Sequence, residues 1–468
     1  MGVAYSIMRN LTTSLLVICP WLPSKGLQQS MFHPTHPLVL KEVIESSGMA
    51  RDEVSVQCTI ALLSDAVRSV HTISVEKMFK DSGASLPLMP EIDCLQPRPT
   101  SEVYYLGAIF HDEGTIDGTY GVHDDIWLSK LGYSKDKDAT DFSSRLWLVW
   151  GDQKTAEIIR SVKAEQGLAR HPFDRRDWML GPPAYFHILQ SITYMIVRTH
   201  WSSPAGLYFK SNLAHDIGVW GRKGITRENV KFHIVEPLIK ESWAARIIAF
   251  FYDELANRSY LQGLRRRDID AEKAELYDTA IAGLSPDQYM DILEAIRCRV
   301  FTSASWNGRA DPHGEFTTQC RFLQEIELFL LLRSAIKRGD VGLIRRLVTP
   351  LSVFFFGSEQ HRYGYEMMHL RWLLSDKVCE PVLQRAILAS GLVNLNGLRD
   401  TFTAVDLVLE HVNCSYKLDM RNHKNSTHDV KSTFGRLGLT SAYTTKLRAL
   451  IESIFGEKTS NKHSWREI

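Results

Sequence analysis

The sequence lacks the motifs that most often assign a chemistry directly. Its seven cysteines are widely scattered and form no CxxC or CxH pair, so the usual zinc sites are disfavoured and we expect reduced, mostly buried thiols, as in an intracellular protein. There is no GxGxxG after a strand, no GxxxxGK[ST], no HExxH and no GxSxG. Nucleotide-dependent oxidoreductases, P-loop ATPases, zincins and serine hydrolases of the usual kinds are therefore disfavoured.

An excess of charge and a membrane-spanning apolar run are also missing. Lys plus Arg (55) nearly cancels Asp plus Glu (54), so no long-range field attracts nucleic acid or an anionic membrane. The apolar run SLLVICPWL is too short to span a bilayer, which requires about 20 residues, and we expect no membrane partner. The 468 residues, 44% of them hydrophobic, supply a buried core and allow either several domains or one domain with a large insertion.

Residues 101–201 alternate between strand and helix signals. The run SEVYYLGAIF predicts a strand, and the following HDEGTIDGTYGVHDD predicts loops and turns. A second strand at 145–150 leads through Gly151 and Asp152 into a helix of about three turns. A short strand in DWMLGPP then precedes a helix over 184–201. This alternation predicts an α/β core segment with a small mixed sheet.

The rest of the chain has a different character. We expect residues 1–100 to form an N-terminal arm or truncated core edge, with a linker where SGASLPLMPEIDCLQPRPT carries four prolines. Nearly every periodic segment from 225 to 400 is helical, so residues 202–400 are expected to form a large all-helical insertion. Residues 401–468 are expected to hold a carboxylate helix at 403–413, a polar loop from 415 and a last helix over 438–456.

Asp152 is the first candidate catalytic residue. It follows the apolar strand LWLVW and Gly151, and ligands of open sheets collect beyond the carboxyl ends of strands. The alternative is structural, because Asp is a favoured helix N-cap and Thr155 to Glu157 look like a first helical turn. The sequence leaves both interpretations open.

The segment TAVDLVLEHVN carries the second candidate group. On a helix Asp406, Glu410 and Asn413 fall at i, i+4 and i+7, which places two carboxylates and an amide on one face. Such a face can hold a divalent metal ion, since Mg²⁺ prefers a few carboxylates plus waters. An ordinary solvated face of an amphipathic helix accounts equally for the pattern.

Two residues in apolar helices are further candidates. His187 lies early in the helix of PPAYFHILQ, where a lone histidine is usually a satisfied core residue. Glu366 lies among Met, Tyr and Leu, where an ionised carboxylate needs a partner such as Arg362 or His369.

Two groups of basic residues could meet a phosphate backbone, although acidic neighbours make an ion-paired surface an equal alternative. They are Arg258 with Arg265 to Arg267, and Arg333 with Lys337, Arg338, Arg345 and Arg346.

With these residues in view, the chain resembles a large family of domains of unknown function, abundant in mushroom-forming fungi and associated with mobile elements. The likeness covers about residues 85–430. It is carried by the order of LWLVWGDQ, RRDWMLGPPAYFHILQSITYMIVRTHW, GRKGI with KFH, YGYEMMHLRWLL and GLRDTFTAVDLVLEHVN.

The resemblance implies a fold and an activity. The family is similar to transposases with a ribonuclease-H-like core, in which a helical insertion separates the sheet from a helix bearing the last acidic residue. In such enzymes three carboxylates hold two Mg²⁺ ions about 4 Å apart for strand cleavage or transfer. Asp152 would be the second carboxylate and Glu410 the third, with Glu366 in reserve; DNA would be the partner and the nucleus the expected location.

The chain departs from the family pattern upstream of Asp152. Relatives carry a strand ending in an Asp-Asn pair that supplies the first carboxylate, and this sequence has no such pair; Asp93 is surrounded by prolines. Many relatives also have Asp where this chain has Tyr185. Either the chain is a truncated copy or the first ligand is another residue. The resemblance therefore implies a transposase-derived, ribonuclease-H-like nuclease or strand-transfer protein, which would be inactive if the first ligand is missing. The alternative is a non-catalytic helical DNA- or protein-binding module.

Overall fold

The computed structural model describes residues 2–7, 12–22, 26–34, 52–201, 212–258, 260, 274–302 and 314–421. The chain divides into two compact units. The sheet unit comprises residues 1–40, 93–189 and 335–468, and the helical unit comprises residues 41–92 and 190–334. Residues 335–400, predicted as part of the helical insertion, thus belong to the sheet unit.

Six of the described strands form one sheet, and the other two form a separate antiparallel pair. The strands of the sheet are β1 (Gly2–Ile7), β2 (Thr12–Ile18), β3 (Leu27–Gln28), β4 (Glu102–Ile109), β5 (Arg145–Trp150) and β6 (Met179–Leu180). The separate pair is β7 (Leu392–Val393) with β8 (Thr403–Ala404).

The sheet has an antiparallel half and a parallel half. Its order is β4-β2-β1-β5, with β3 and β6 both pairing with β5. Strand β2 is antiparallel to β1 and β4, whereas β5 is parallel to β1 and to β6. Strands β1, β4, β5 and β6 therefore point the same way, and their last residues lie at one end of the sheet, here called the carboxyl end.

The described helices, in chain order, are α1 (Glu53–Ser82), α2 (Ile116–Asp124), α3 (Ala139–Ser144), α4 (Gln153–Gln166), α5 (Pro172–Arg175), α6 (Tyr185–Thr199), α7 (Leu213–Val219), α8 (Phe232–Asn257), α9 (Ala274–Ala282), α10 (Pro286–Val300), α11 (Glu315–Arg338), α12 (Val341–Gly357), α13 (His361–Leu373), α14 (Pro381–Ser390) and α15 (Val405–Arg421). A π-helical turn, Asp125–Lys130, follows α2 directly.

The core of the sheet unit is aromatic. Five of the six residues of β5 are buried, as expected for an apolar strand that is covered on both faces. Trp147 packs in one cluster with Trp127 and Trp178, whose ring centroids are 4.9 Å apart. Helices α2 and α13 both pack against α4, and α15 packs against β1 and β2. This packing places α15 beside the centre of the sheet.

In the helical unit the long helix α1 packs against α8, α9 and α10. It begins with an N-cap, since Asp52 accepts a hydrogen bond from the Ser55 amide at 2.9 Å. At His71 the backbone leaves the helical region (φ −111°, ψ 41°). The buried His71 ring bonds Tyr252 Oη at 2.6 Å and Asp278 Oδ1 at 2.9 Å, which holds this irregular turn against α8 and α9.

The predictions for secondary structure are largely confirmed, and the chain is mostly helical with small sheets. The strands expected at 101–110 and 145–150 are β4 and β5, and the helix expected over 184–201 is α6. Residues 1–100, expected to form an arm or a truncated core edge with a linker, contain β1 and β2, which belong to the sheet, and α1, which was not predicted. Residues 415–421 continue α15 rather than forming the predicted loop. The last predicted helix, 438–456, lies outside the described residues.

Candidate functional site

Asp152 lies at the carboxyl end of β5, and it also caps the next helix. Its Oδ1 accepts a hydrogen bond from the Thr155 amide at 2.8 Å. The structural alternative for this residue, a helix N-cap, is therefore confirmed. Gly151 permits the tight turn, because a Cβ there would lie 2.4 Å from Thr155 Cγ2. The carboxylate is partly exposed, so capping leaves one oxygen for another partner.

An aromatic pair brings a remote segment to the same end of the sheet. The rings of Trp150 and Tyr185 lie 5.2 Å apart. Trp150 Nε1 donates to Ser390 Oγ at 3.1 Å, and Tyr185 Oη donates to the Leu388 carbonyl at 3.0 Å. A Cβ on Gly391 would lie 2.6 Å from the Tyr185 ring. The end of α14 is thus fixed beside β5, and β7, β8 and α15 follow from there.

Asp406, in the first turn of α15, caps helix α6. Its Oδ1 accepts from the Phe186 amide at 3.2 Å, and its Oδ2 accepts from the His187 amide at 3.0 Å. The same Oδ2 accepts from His187 Nδ1 at 2.8 Å. Three donors therefore satisfy a carboxylate that is only 3% exposed, which is the condition for burying an ionised group.

The pKa of His187 is affected by carboxylates from two remote segments of the chain, Asp152 and residues 406–410. Burial lowers the pKa of His187, but the hydrogen bond to Asp406 and the negative charges of Asp406, Asp152 and Glu410 together raise it above the ordinary value. Asp406 therefore contacts His187 directly, and Asp152 and Glu410 lie near enough for their charges to act on the imidazole.

Helix α15 turns its polar stripe inward. Asp406 and Asn413 are both buried, and Glu410, one turn after Asp406, is partly exposed. Leu407, Val408 and Val412 of the same helix are only partly buried. The alternative of an ordinary solvated face is therefore wrong for this helix.

Glu366 is engaged by a partner that the sequence did not indicate. Both of its oxygens accept hydrogen bonds from Arg160 of α4, one at 2.9 Å, rather than from Arg362 or His369. Burial raises the pKa of Glu366, and Arg160 acts against that rise. Because this ion pair occupies the carboxylate, the geometry favours a structural role for Glu366 over metal binding.

Tyr363, one turn before Glu366, was not among the candidates found in the sequence, although three of the candidate carboxylates act on its hydroxyl. Burial raises the pKa of its hydroxyl, and the charges of Asp152, Asp406 and Glu366 raise it further. No sequence pattern indicated Tyr363, because its place near these carboxylates depends on the packing of α13 against α4.

Glu113 was also missed. It follows β4, is 2% exposed, and its Oε2 has no hydrogen-bond partner among the described residues. Burial raises the pKa of Glu113 strongly, and the charges of Asp152 and Asp112 raise it further while Lys154 opposes them. The signal that the sequence offered is the spacing of Gly118 and Gly121, which places them on one face of a helix. We interpreted these glycines as loop residues.

The remaining candidates form ion pairs away from these carboxylates. Asp93 is bound by Arg385, with its Oδ2 3.0 Å from Arg385 Nε. Arg333 pairs with Glu236, and Arg338 lies 3.3 Å from Asp340. These contacts favour the ion-paired surface for the second basic group. Residues 265–267 of the first group lie outside the described residues.

Within the described part of the chain, no three His, Cys, Asp or Glu side chains already converge as a metal-binding group. The residues nevertheless suit a hard cation: Asp152 and Glu410 are partly exposed oxygen ligands, and the orphaned Oε2 of Glu113 is a buried acceptor without a donor.

The comparisons with known proteins are sparse. The model of a family of unknown function, DUF6589, matches residues 34–463. No curated protein and no solved structure matches the chain. Within the described residues, no helix is both long and apolar enough to cross a membrane, and none of the seven cysteines forms a disulfide.

Proposed function

We propose, from the premise that this chain belongs to the DUF6589 family of unknown function, that it is a nuclease or strand-transfer protein of the transposase type. It would act on DNA with Mg²⁺ at the carboxyl end of a ribonuclease-H-like sheet. The observation that carries the proposal is the pair of hydrogen bonds that Asp406 accepts from the start of α6, which brings the acidic helix α15 to the end of the sheet where Asp152 follows β5.

The sheet topology supports this proposal. The order β4-β2-β1-β5-β6, with three antiparallel strands followed by two that run parallel to the central strand, is the one expected of a ribonuclease-H-like core. Asp152 follows the strand next to β1, and the acidic helix α15 packs against β1 and β2. Both positions are where such a core presents its second and last carboxylates.

Asp152 and Glu410 are the proposed metal ligands. A divalent ion held there supplies a Lewis acid that activates water or a 3′ hydroxyl and neutralises the leaving oxygen. The chain's own contribution is positioning: the N-cap of α4 orients Asp152, and the Asp406 cap of α6 fixes α15 and therefore Glu410. When protonated, His187 would place a positive charge beside an anionic backbone.

The decisive variant is Asp152→Asn. Asparagine caps a helix about as well as aspartate, so the fold is retained while the metal-binding charge is lost. Glu157→Gln, an exposed acid on the same helix, is the matched control. We expect Mn²⁺ at one hundred times Kd to stabilise the wild type and Glu157→Gln by about 2.7 kcal/mol, and therefore to raise their melting temperatures but not that of Asp152→Asn.

Nicking of supercoiled plasmid DNA in Mg²⁺ or Mn²⁺ supplies the second measurement. Activity in the wild type and in Glu157→Gln, with loss in Asp152→Asn, is the expected result. Equal thermal shifts in all three proteins contradict the proposal, because the metal would then bind elsewhere.

One observation favours a second candidate, a non-catalytic DNA- or protein-binding module. Strand β1, GVAYSI, carries no acidic residue, although a central strand is where relatives place the first carboxylate. For a DNA-binding module, salt-dependent binding should persist unchanged in Asp152→Asn, without nicking by any variant.

A further inference from the structure

We propose that Glu113 supplies the third metal-binding carboxylate, replacing an acid on β1 and completing a site with Asp152 and Glu410. The inference rests on the proposed function and extends it, because it assigns a ligand to a segment that had been interpreted only as a loop.

The direction of β4 makes this substitution geometrically reasonable. Strand β4 runs parallel to β1 and β5, since both β1 and β4 are antiparallel to β2. Residues 110–113 therefore leave the sheet at the carboxyl end, where Asp152 follows β5. An acid placed after β4 reaches the same end of the sheet as an acid on the central strand.

Helix α2 holds the Glu113 segment at close range. A Cβ on Gly118 would lie 1.8 Å from the Asp112 carbonyl oxygen, and a Cβ on Gly121 would lie 2.5 Å from His111 Nδ1. Only glycine at these two positions lets α2 approach the segment so closely. Tyr120 Oη also donates to Glu165 Oε2 at 3.0 Å, which fastens α2 to α4, the helix that Asp152 caps.

Local hydrogen bonds order the turn that carries Glu113. Asp112 Oδ1 accepts from the Gly114 amide at 2.9 Å, and the Glu113 carbonyl accepts from Thr119 Oγ1 at 3.1 Å. The backbone on both sides of Glu113 is thus fixed, and the side chain extends from a rigid base. Such preorganisation is typical of a functional ligand.

Glu113 Oε2 has no hydrogen-bond partner among the described residues. A buried acid that only supports the fold normally receives hydrogen bonds or an ion pair, as Asp406 and Glu366 do here. Glu113 Oε2 receives none, and the largest charge acting on the group is the negative charge of Asp152. A buried carboxylate oxygen without a donor is expensive to keep in the fold unless a cation binds it.

The test compares full-length wild type, Glu113→Gln and Asp117→Asn by calorimetric titration with MnCl₂ and by thermal unfolding in EDTA. Asp117 is an exposed acid in the first turn of α2 and serves as the matched control. Even neighbours of metal ligands change metal affinity by about 10–100-fold when mutated, so we expect Glu113→Gln to bind Mn²⁺ at least tenfold more weakly. Its melting temperature in EDTA should equal or exceed that of the wild type, because a neutral amide replaces a buried carboxyl group whose Oε2 has no hydrogen-bond donor.

Three results overturn the inference in distinguishable ways. If Glu113→Gln binds Mn²⁺ with wild-type affinity, Glu113 is not a metal ligand, and the proposal for Asp152 and Glu410 is unaffected. A melting temperature lowered in EDTA together with unchanged Mn²⁺ affinity assigns Glu113 a structural role. Absence of Mn²⁺ binding in the wild type removes the proposed function itself. If Glu113→Gln fails to fold, Glu113→Asp, which keeps the charge on a shorter side chain, should retain weakened binding; unchanged binding contradicts the inference.

Discussion

Asp406 binds His187 twice, through one carboxylate oxygen that accepts from the His187 amide at 3.0 Å and from its Nδ1 at 2.8 Å. The pair joins the first turn of α15 to the first turn of α6, although the two residues are distant in the sequence. The acidic helix is therefore held in place by a cap rather than by apolar packing alone.

Removing this cap should destabilise the sheet unit. In Asp406→Ala two partly buried amides and one imidazole lose their acceptor, so we expect the free energy of unfolding to fall by about 1–3 kcal/mol. Urea denaturation followed by circular dichroism measures the change. Asp406→Asn, which keeps one acceptor oxygen, should lose less; equal losses in both variants would show that the hydrogen bonds to the amides are not what matters.

The same pair predicts a pH dependence. The folded-state pKa of His187 is raised, so protonated His187 contributes stability that is fully present below its unfolded pKa, about 6.5, and is lost as pH rises through the higher folded value. The stability difference between wild type and His187→Gln, measured in urea with EDTA, should therefore shrink with rising pH across that window. A difference that is constant or that grows with pH contradicts the assignment.

Gly391 allows the segment before α15 to lie against two rigid rings. A Cβ there would be 2.6 Å from Tyr185 and 2.7 Å from Trp150, so Gly391→Ala forces displacement and should cost about 1–3 kcal/mol. Gly357→Ala is the control, because that position has open space around it. Thermal unfolding of both variants distinguishes them; equal melting temperatures would mean that the segment is not held by the aromatic pair.

The buried pair of Glu366 and Arg160 predicts strong coupling. Arg160→Met leaves a carboxylate that is 1% exposed without its cation, and we expect a loss of about 3–5 kcal/mol. The double variant with Glu366→Gln should recover part of that loss, since no buried charge then remains. A double-mutant cycle by urea denaturation measures the coupling, and strictly additive losses contradict it.

The sequence predicts those elements whose apolar residues follow the spacing of a helix or form a short apolar run typical of a buried strand. Strand β5 and helix α6 were found from such patterns, and Asp152 was correctly placed between β5 and a helix. Helix α1 was missed because it is buried on several sides and rich in branched residues, so no clear helical stripe is present. Strands β1 and β2 were missed because short apolar runs do not distinguish strand from helix.

The candidate site was only partly predictable for a different reason. The spacing of Asp406 and Glu410 on one helix face follows from the sequence, and so does the capping potential of Asp152. The partner of Glu366 is a residue on another helix, and the burial of Glu113 depends on how α2 approaches the end of β4. Such tertiary contacts leave no periodic trace along the chain.

The most direct test of the central claim is an anomalous difference map from crystals of the full chain grown with Mn²⁺. The account predicts a peak between the carboxylates of Asp152 and Glu410, with an oxygen of each within about 2.0–2.6 Å of the ion. A map without a peak at these residues, or with the ion bound elsewhere, would contradict it.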